Sequence, residues 1–250
     1  MKNVLIVGYG FVGKATELLL TYDSTYFNVT NYDPALGLLA EVKKYDYIFL
    51  CVPTNQKIDG TLDTSILEGS YNQWKEYGNI VIRSTIGPDQ VKYFPSAIMM
   101  PEFLREKHWE DDVKDVLIPI IVSDTTLGII LKNNIRHKFV DIIGAKEAMM
   151  FKLARNSALA MRVALANEFR EICERLDMDF DSLSQLLESD FSVGGSHWES
   201  PGPDGQVGFG GKCLPKDLTH MSTLCYNEYN IMKEAIEMNL IRRVTHNEFN

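Results

Sequence analysis

With 250 residues, 45% apolar and 24% charged, the chain has the composition of a folded globular protein with room for one or two cores. Its net charge of −9 argues against general affinity for nucleic acid or anionic membrane, and no apolar run approaches the roughly 20 residues that cross a bilayer. The four cysteines, Cys51, Cys173, Cys213 and Cys225, lack CxxC spacing and are too sparse for a disulfide scaffold, which points to a reducing, cytoplasmic setting.

The first half alternates strand-like and helix-like segments. NVLIVG (3–8) reads as a buried first strand and not as a signal peptide. A helix follows over 12–22, a second strand over 27–33, a weakly helical stretch, and a third strand over 46–52. A helix over 63–76 precedes strands at 79–85, 96–101 and 117–123, with helices near 88–94 and 125–133 between and after them. This alternation predicts an α/β, doubly wound, mostly parallel sheet.

The pattern changes near Gly144. From Ala145 to Leu176 there is no Gly or Pro, and the stretch reads as one long, largely apolar helix buried on more than one side. A short helix near 180–188 comes next, then a Gly-, Ser- and Pro-rich loop over 189–212, then helices over 215–227 and from 230 to the end. Two domains are expected: 1–144, binding a dinucleotide, and 145–250, all-α.

GYGFVG at 8–13 fits G-x-G-x-x-G between a predicted strand and a predicted helix, the setting in which that pattern acts. Gly8 permits the tight turn, Gly10 the close approach of a pyrophosphate, and Gly13 close helix–strand packing; Phe11 and Val12 complete the turn. The helix N-terminus favours the phosphate charge. Asp33, 20 residues after Gly13, would accept hydrogen bonds from ribose hydroxyls and repel a 2′-phosphate, so NAD is expected as the cofactor and not NADP.

GFGGKCLPKD (208–217) places Cys213 between a glycine-rich loop and a helix start at Pro215, flanked by Lys212 and Lys216. A helix N-terminus and nearby lysines favour thiolate over thiol. Asp217 falls four residues on, on the same face of such a helix. A reactive cysteine beside an NAD site suggests oxidation of an alcohol to an aldehyde, capture by the thiolate, a second oxidation to a thioester, and hydrolysis to an acid. His108 and His197 have no partner spacing for a metal, so no metal site is expected.

Six segments, in order, resemble the UDP-glucose/GDP-mannose dehydrogenase family. They are GYGFVG with Asp33; CVPTN (51–55), similar to a V-P-T-P turn; RSTIGP (83–88), similar to S-T-V-P; PEFLRE (101–106); Lys152 and Asn156 with the later Asn167-Glu168 pair; and GFGGKCLPKD. The resemblance implies a Rossmann-like first domain and a helical second domain that dimerises. It implies an NAD-dependent, four-electron oxidation of a nucleotide-sugar C6 alcohol to the uronic acid, with UDP-glucose as the expected substrate. Cys213 would be the nucleophile. Lys152 and Asn156 would stabilise the alkoxide and the thiohemiacetal oxyanion, and Asp217 would position water or assist proton transfer. Glu102 would serve or orient the base for thioester hydrolysis, with Thr85 in the same network. Val52, Pro53, Thr54 and Thr85 would lie near the cofactor. Phe103, Leu104, Arg105, Glu106, Phe209, Gly210 and Gly211 would join Lys152 and Asn156 around the nucleotide-sugar.

The chain departs from the family pattern in three places. The family usually carries a third, nucleotide-binding domain, whereas this chain stops at Asn250, which implies a compact form. Val193-Gly194-Gly195 stands where an arginine-bearing R-I-G segment is usual, and Met149 stands where glutamate is common. Two other readings stay open: a dehydrogenase of GDP-mannose or UDP-N-acetylmannosamine type, and a binding module without catalysis.

Overall fold

The computed structural model describes residues 1–55, 57, 62–115, 118–137, 139–195, 209, 227 and 229–248. The chain divides into two compact units, Met1–Asn156 and Ser157–Asn250. The division falls inside the long helix, so its opening turns belong with the first unit.

The first unit is an α/β sheet structure. A five-stranded, wholly parallel sheet has the order β2-β1-β3-β4-β5, made of β1 (Lys2–Val7), β2 (Phe27–Tyr32), β3 (Tyr47–Leu50), β4 (Asn79–Ile82) and β5 (Ile98–Met99). A second parallel pair joins β6 (Ile120–Val122) to β7 (Val140–Ile142). Around Ser123 a side chain takes part in joining the two: Met99 N–H donates to Ser123 Oγ at 2.8 Å, while Ser123 N–H donates to Met99 O at 2.9 Å.

Alternation along the strands explains why the sheet is covered on both faces. Leu5, Val7, Ile48, Leu50, Ile80 and Ile82 pack with Leu67, Tyr71 and Trp74 of helix α2 (Ser65–Trp74). Val4, Ile6, Tyr47, Phe49 and Val81 pack with Ala15, Leu19 and Leu20 of α1 (Phe11–Thr21) and Leu127 and Leu131 of α4 (Thr125–Asn134). A period of two thus feeds two separate cores, the layering of a doubly wound fold. Met149, on the first turns of α5 (Ala145–Arg175), is fully buried in the α2-side core together with Ala148. An apolar side chain is what that position requires here.

Several expected elements are shorter or of another kind. The strand expected over 79–85 ends at Ile82, and Arg83, Ser84 and Thr85 leave the sheet at its carboxyl edge. Between Pro88 and Pro95 only one 3₁₀ turn, Val91–Tyr93, forms, because the two prolines bracket too little chain for an α-helix. The weakly helical stretch before β3 is a 3₁₀ turn, Pro34–Leu36, closed by Gly37 in the left-handed region at φ 72. Two further elements of the first unit, besides a 3₁₀ turn over Glu106–His108, were not anticipated. One is β7, a three-residue strand with only Val140 buried. The other is α3 (Trp109–Lys114), whose first turn carries Glu110, Asp111 and Asp112, acidic residues that suit a helix N-terminus.

In the second unit, Ile172 and Cys173 near the end of α5 are buried. Asp177, at φ 56, turns the chain, and Asp179 caps α6 (Phe180–Ser189) by accepting from Asp181 and Ser182 N–H. The loop expected over 189–212 contains one short helix, α7 (Phe191–Gly195), which takes in Val193-Gly194-Gly195. Helix α8 (Ile231–Glu248) follows. The helix expected over 215–227 falls almost wholly outside the described residues. None of the helices among the described residues is long and apolar enough to cross a membrane.

Candidate active site

The strand order reverses at β1, which has β2 on one side and β3 on the other, so the crevice beyond the carboxyl ends of β1 and β3 is the place where a doubly wound sheet binds ligands. The glycine loop opens there. Gly8 has φ 88, and a Cβ on it would lie 2.8 Å from Cys51 O. A Cβ on Gly13 would lie 2.2 Å from Gly8 O, so only glycine lets α1 approach the strand this closely. Around Gly10 nothing among the described residues lies within 4 Å of a would-be Cβ. Gly10 caps α1 without a side-chain hydrogen bond, and no acidic residue occupies the first turn, which includes Phe11 and Val12. Among the described residues the backbone N–H groups at this end have no side-chain acceptor and the space over Gly10 is open, an arrangement that fits a dinucleotide pyrophosphate.

Asp33 follows β2 at the same edge. Its Oδ2 accepts Tyr9 N–H at 2.9 Å and its Oδ1 accepts Ala35 N–H at 3.2 Å, fixing a carboxylate beside the glycine loop. The Tyr9 hydroxyl bonds Glu17 Oε2, which also accepts from Asn31 Nδ2 at 3.1 Å. That bond to a carboxylate, helped by partial burial, pushes the Tyr9 phenol up to about 12. Tyr9 and Glu17 were not singled out by sequence, although an aromatic residue inside the glycine loop was visible there.

The turns after β3 and β4 are tied together. Thr54 Oγ1 donates to Thr85 O at 2.7 Å, and Ser84 Oγ donates to Val52 O at 2.6 Å. This draws Val52, Pro53 and Thr54 to Thr85 at the carboxyl edge of the sheet. Cys51 stands at the same edge, but burial pushes its thiol up to about 11 against the opposing effects of Arg83 and a Thr16 hydrogen bond. It stays a thiol at neutral pH.

The sharpest feature is a buried ion pair. Lys152 Nζ lies 2.8 Å from Glu102 Oε1, with side chains only 5% and 14% exposed. Glu102 Oε2 accepts Leu104 N–H at 2.7 Å, so both carboxylate oxygens are engaged. Phe103 is buried, with Lys152 Nζ 5.5 Å and Arg155 Cζ 5.6 Å from its ring centroid and Phe151 packed edge-on at 5.5 Å. Two cations over one ring face a π system that favours them. Asn156, one turn beyond Lys152, is exposed.

Arg83 adds a second buried cation that sequence reading passed over, although a lone charge ending an apolar strand was a signal. It is 3% exposed, donates Nη1 to Met100 O at 3.2 Å, and leaves Nε without a hydrogen bond among the described residues. Burial draws its guanidinium below the usual range, opposed by Cys51 and Glu102.

Arg105 is held from below. Its N–H, Nε and Nη2 reach Asp112 at 2.7, 2.9 and 2.6 Å, which orients the Leu104–Arg105–Glu106 main chain. Burial raises the Asp112 carboxyl, but the Arg105 guanidinium and N–H outweigh it and hold that group below the usual range.

From the cysteine motif only Phe209 is described; Cys213, Asp217, Gly210 and Gly211 lie outside the described residues. Phe209 is gripped from α8: its N–H donates to Asn239 Oδ1 at 2.7 Å, and its carbonyl accepts Asn239 Nδ2 at 2.9 Å and Arg243 Nε at 2.8 Å. Among the described residues no group of His, Cys, Asp and Glu side chains could hold a metal ion.

Residues 146–240 match the central domain of the UDP-glucose/GDP-mannose dehydrogenase family. The chain is 29% identical to the UDP-glucose 6-dehydrogenase of Rickettsia felis, over 80% of this chain and 48% of that protein. It is also 29% identical to that of Campylobacter jejuni, over 79% and 53%. It spans about half the length of the curated relatives it matches. In fold it is similar to a GDP-mannose dehydrogenase from Pseudomonas aeruginosa, with TM-score 0.78 at 20% identity, over 97% of this chain and 69% of that one. The ordered motifs, the parallel sheet and the match over residues 146–240 together make the chain similar to members of the UDP-glucose/GDP-mannose dehydrogenase family.

Proposed function

We propose that the chain is an NAD-dependent oxidoreductase of UDP-glucose 6-dehydrogenase type, taking a nucleotide-sugar C6 alcohol through the aldehyde to the uronic acid. One observation carries this reading: Lys152 is buried and ion-paired with Glu102 against Phe103, in a segment matching the family's central domain. Burying two charges is costly, and a purely structural role would be served as well by apolar residues.

Gly8, Gly10, Gly13 and the first turn of α1 hold the pyrophosphate, Asp33 accepts from the adenosine ribose, and Val52, Pro53, Thr54 and Thr85 border the cofactor. When bound, NAD accepts a hydride from the sugar carbon at each of the two oxidations. The Lys152 ammonium and the Asn156 amide stabilise the alkoxide as the alcohol proton leaves. The Cys213 thiolate adds to the aldehyde carbon, and the same two groups stabilise the oxyanion of the thiohemiacetal. After the second oxidation the product is a Cys213 thioester. Glu102, with Thr85 and Asp217, orients or deprotonates the water that cleaves it, releasing the acid and restoring the thiol. Phe103 to Glu106 and Phe209 to Gly211 border the nucleotide-sugar. The helical unit, 145–250, forms a homodimer, and the first domain is 1–144.

The test is NADH formation by the purified protein with UDP- and GDP-sugars. Two NADH per sugar, abolished by Cys213→Ser, is the expected result. One NADH per sugar, or activity untouched by that substitution, overturns it. A GDP-mannose or UDP-N-acetylmannosamine preference emerges from the same panel, and binding without turnover by any sugar leaves a non-catalytic module.

A further inference from the structure

We propose that Asn239 and Arg243 are positioning residues for the cysteine loop, a role that rests on the reading of Cys213 as nucleophile. A carboxamide carries an acceptor and a donor side by side, so one side chain can accept a backbone N–H and donate to the carbonyl of the same residue. Asn239 does this for Phe209, completing both backbone hydrogen bonds of a residue that lies in neither helix nor strand. Asn239 is 6% exposed, so neither bond is exchanged readily for water. Arg243, one turn along α8, adds a charge-assisted bond to the same carbonyl. Three bonds from a regular 18-residue helix therefore hold Phe209.

That point is informative because of where it falls. Phe209 stands four residues before Cys213 in the sequence, and four residues of extended chain reach at most about 14 Å. Gly210 and Gly211 intervene, and glycines supply no side-chain packing of their own to hold the path of the chain. A hold on Phe209 therefore limits how far Cys213 can lie from that point. Effective catalysis needs the reacting atom held to a fraction of an ångström by a supporting shell of hydrogen bonds, and misplacement by about 1 Å costs on the order of 100-fold in rate.

The experiment uses the full chain and two readouts. The first needs no substrate: the rate at which iodoacetamide modifies Cys213, followed peptide by peptide by mass spectrometry from pH 5 to 9, with buried Cys173 as an internal marker of folding. Asn239→Leu matches the volume and loses both amide bonds; Arg243→Met keeps them and loses only the third. We expect Cys213 modification about tenfold slower at pH 7 in Asn239→Leu, the loss expected when its thiolate-favouring surroundings weaken by one pKa unit, with a smaller effect in Arg243→Met. Arg243→Lys should recover part of that smaller loss. Cys173 should stay protected throughout. The second readout is turnover: kcat should fall about 100-fold in Asn239→Leu with KM for the sugar nearly unchanged. Wild-type modification rates and pH dependence in both variants, with Cys173 protected, overturn the proposal. If Asn239→Leu does not fold, the Arg243→Met and Arg243→Lys pair decides it on the same measurements. Because modification is read without turnover, failure of the nucleophile reading (Cys213→Ser still giving two NADH) is recognised separately from failure of the loop anchor.

Discussion

Around Gly8 and Gly13 the chain removes side chains so that backbone can approach backbone, and at Gly10 it leaves open space. Around Glu102 and Lys152 it does the reverse, burying two charges and filling the space between them and Phe103. In the glycine loop the relevant energy is steric, local in sequence, and independent of pH and salt. In the ion pair it is electrostatic, joins residues 50 apart in sequence, and depends on each partner keeping the other. A single substitution should therefore act differently in the two places. In the loop the damage scales with the atoms added. At the pair it scales with the charge left alone.

The largest effect is expected at Gly13. A methyl there would fall 2.2 Å from Gly8 O, backbone that cannot rotate aside. Gly13→Ala should cost about 3 kcal/mol, the upper end for overpacking, and lower the melting temperature by roughly 6–12 °C for a protein of this size. Dinucleotide binding, read by calorimetry, should be lost with it. A melting temperature within 1–2 °C of the unsubstituted protein, roughly half a kcal/mol, would remove the steric account of the loop.

At the ion pair the test is a double-mutant cycle. Glu102→Gln leaves Lys152 buried without its counter-ion, and Lys152→Met leaves Glu102 so; each should destabilise by about 3 kcal/mol, read by urea unfolding. The double substitution should cost clearly less than the sum, giving a coupling of about 1–3 kcal/mol. Simple additivity would mean that the two groups stabilise nothing through each other, and the contrast with the glycine loop would lose its electrostatic half.

The two regions also differ in how far sequence alone revealed them. GYGFVG between a strand-like and a helix-like run announces a glycine turn, because spacing of a few residues fixes its geometry. The anchoring of Asp33 by Tyr9 and Ala35 N–H, and the role of Glu17, were not legible, since each needs the register of β1 on β2. Glu102 and Lys152 were named only by family resemblance. No periodicity pairs residues from the end of β5 and the start of α5. Arg83 was missed because a charge ending an apolar strand is ordinarily read as the point where the chain meets water, whereas the sheet edge here buries it. The succession of strand-like and helix-like segments was legible over much of 1–123, and β7 was not, because three residues with one buried carry no period.

A smaller effect, with a definite pH window, is expected at His137. It is 2% exposed, its Nε2 makes no hydrogen bond among the described residues, and burial, then neighbouring Arg136, draws its imidazole below the usual value. A base whose folded value lies below its unfolded value of about 6.5 resists protonation in the native state. Its contribution is complete above that value and is lost as pH falls from there toward the folded value, by no more than about 1.4 kcal/mol per pH unit. The melting temperature should therefore decline between pH 7 and 5 and flatten over that window in His137→Leu. Asp46 and Asp112, both held below the usual carboxylate range, act only further down, their stabilisation being lost as pH falls through their lowered values. Identical pH profiles for His137→Leu and the unsubstituted protein would exclude His137 as the source.

The smallest effect on stability is expected at Gly10, and it separates fold from ligand most cleanly. Its backbone, at φ −72 and ψ −162, is open to any residue, and nothing among the described residues lies within 4 Å of an added Cβ. Gly10→Ala replaces one helix cap by a slightly poorer one, worth about 0.5 kcal/mol. The melting temperature should move by only about 1–2 °C. If the open space over Gly10 is where a pyrophosphate approaches, the same methyl should weaken NAD binding at least about tenfold, since it displaces the ligand from the N–H groups of α1. Gly13→Ala should thus lose fold and ligand together, and Gly10→Ala the ligand alone. Undiminished NAD affinity in Gly10→Ala would move the dinucleotide away from this loop, even with the fold intact.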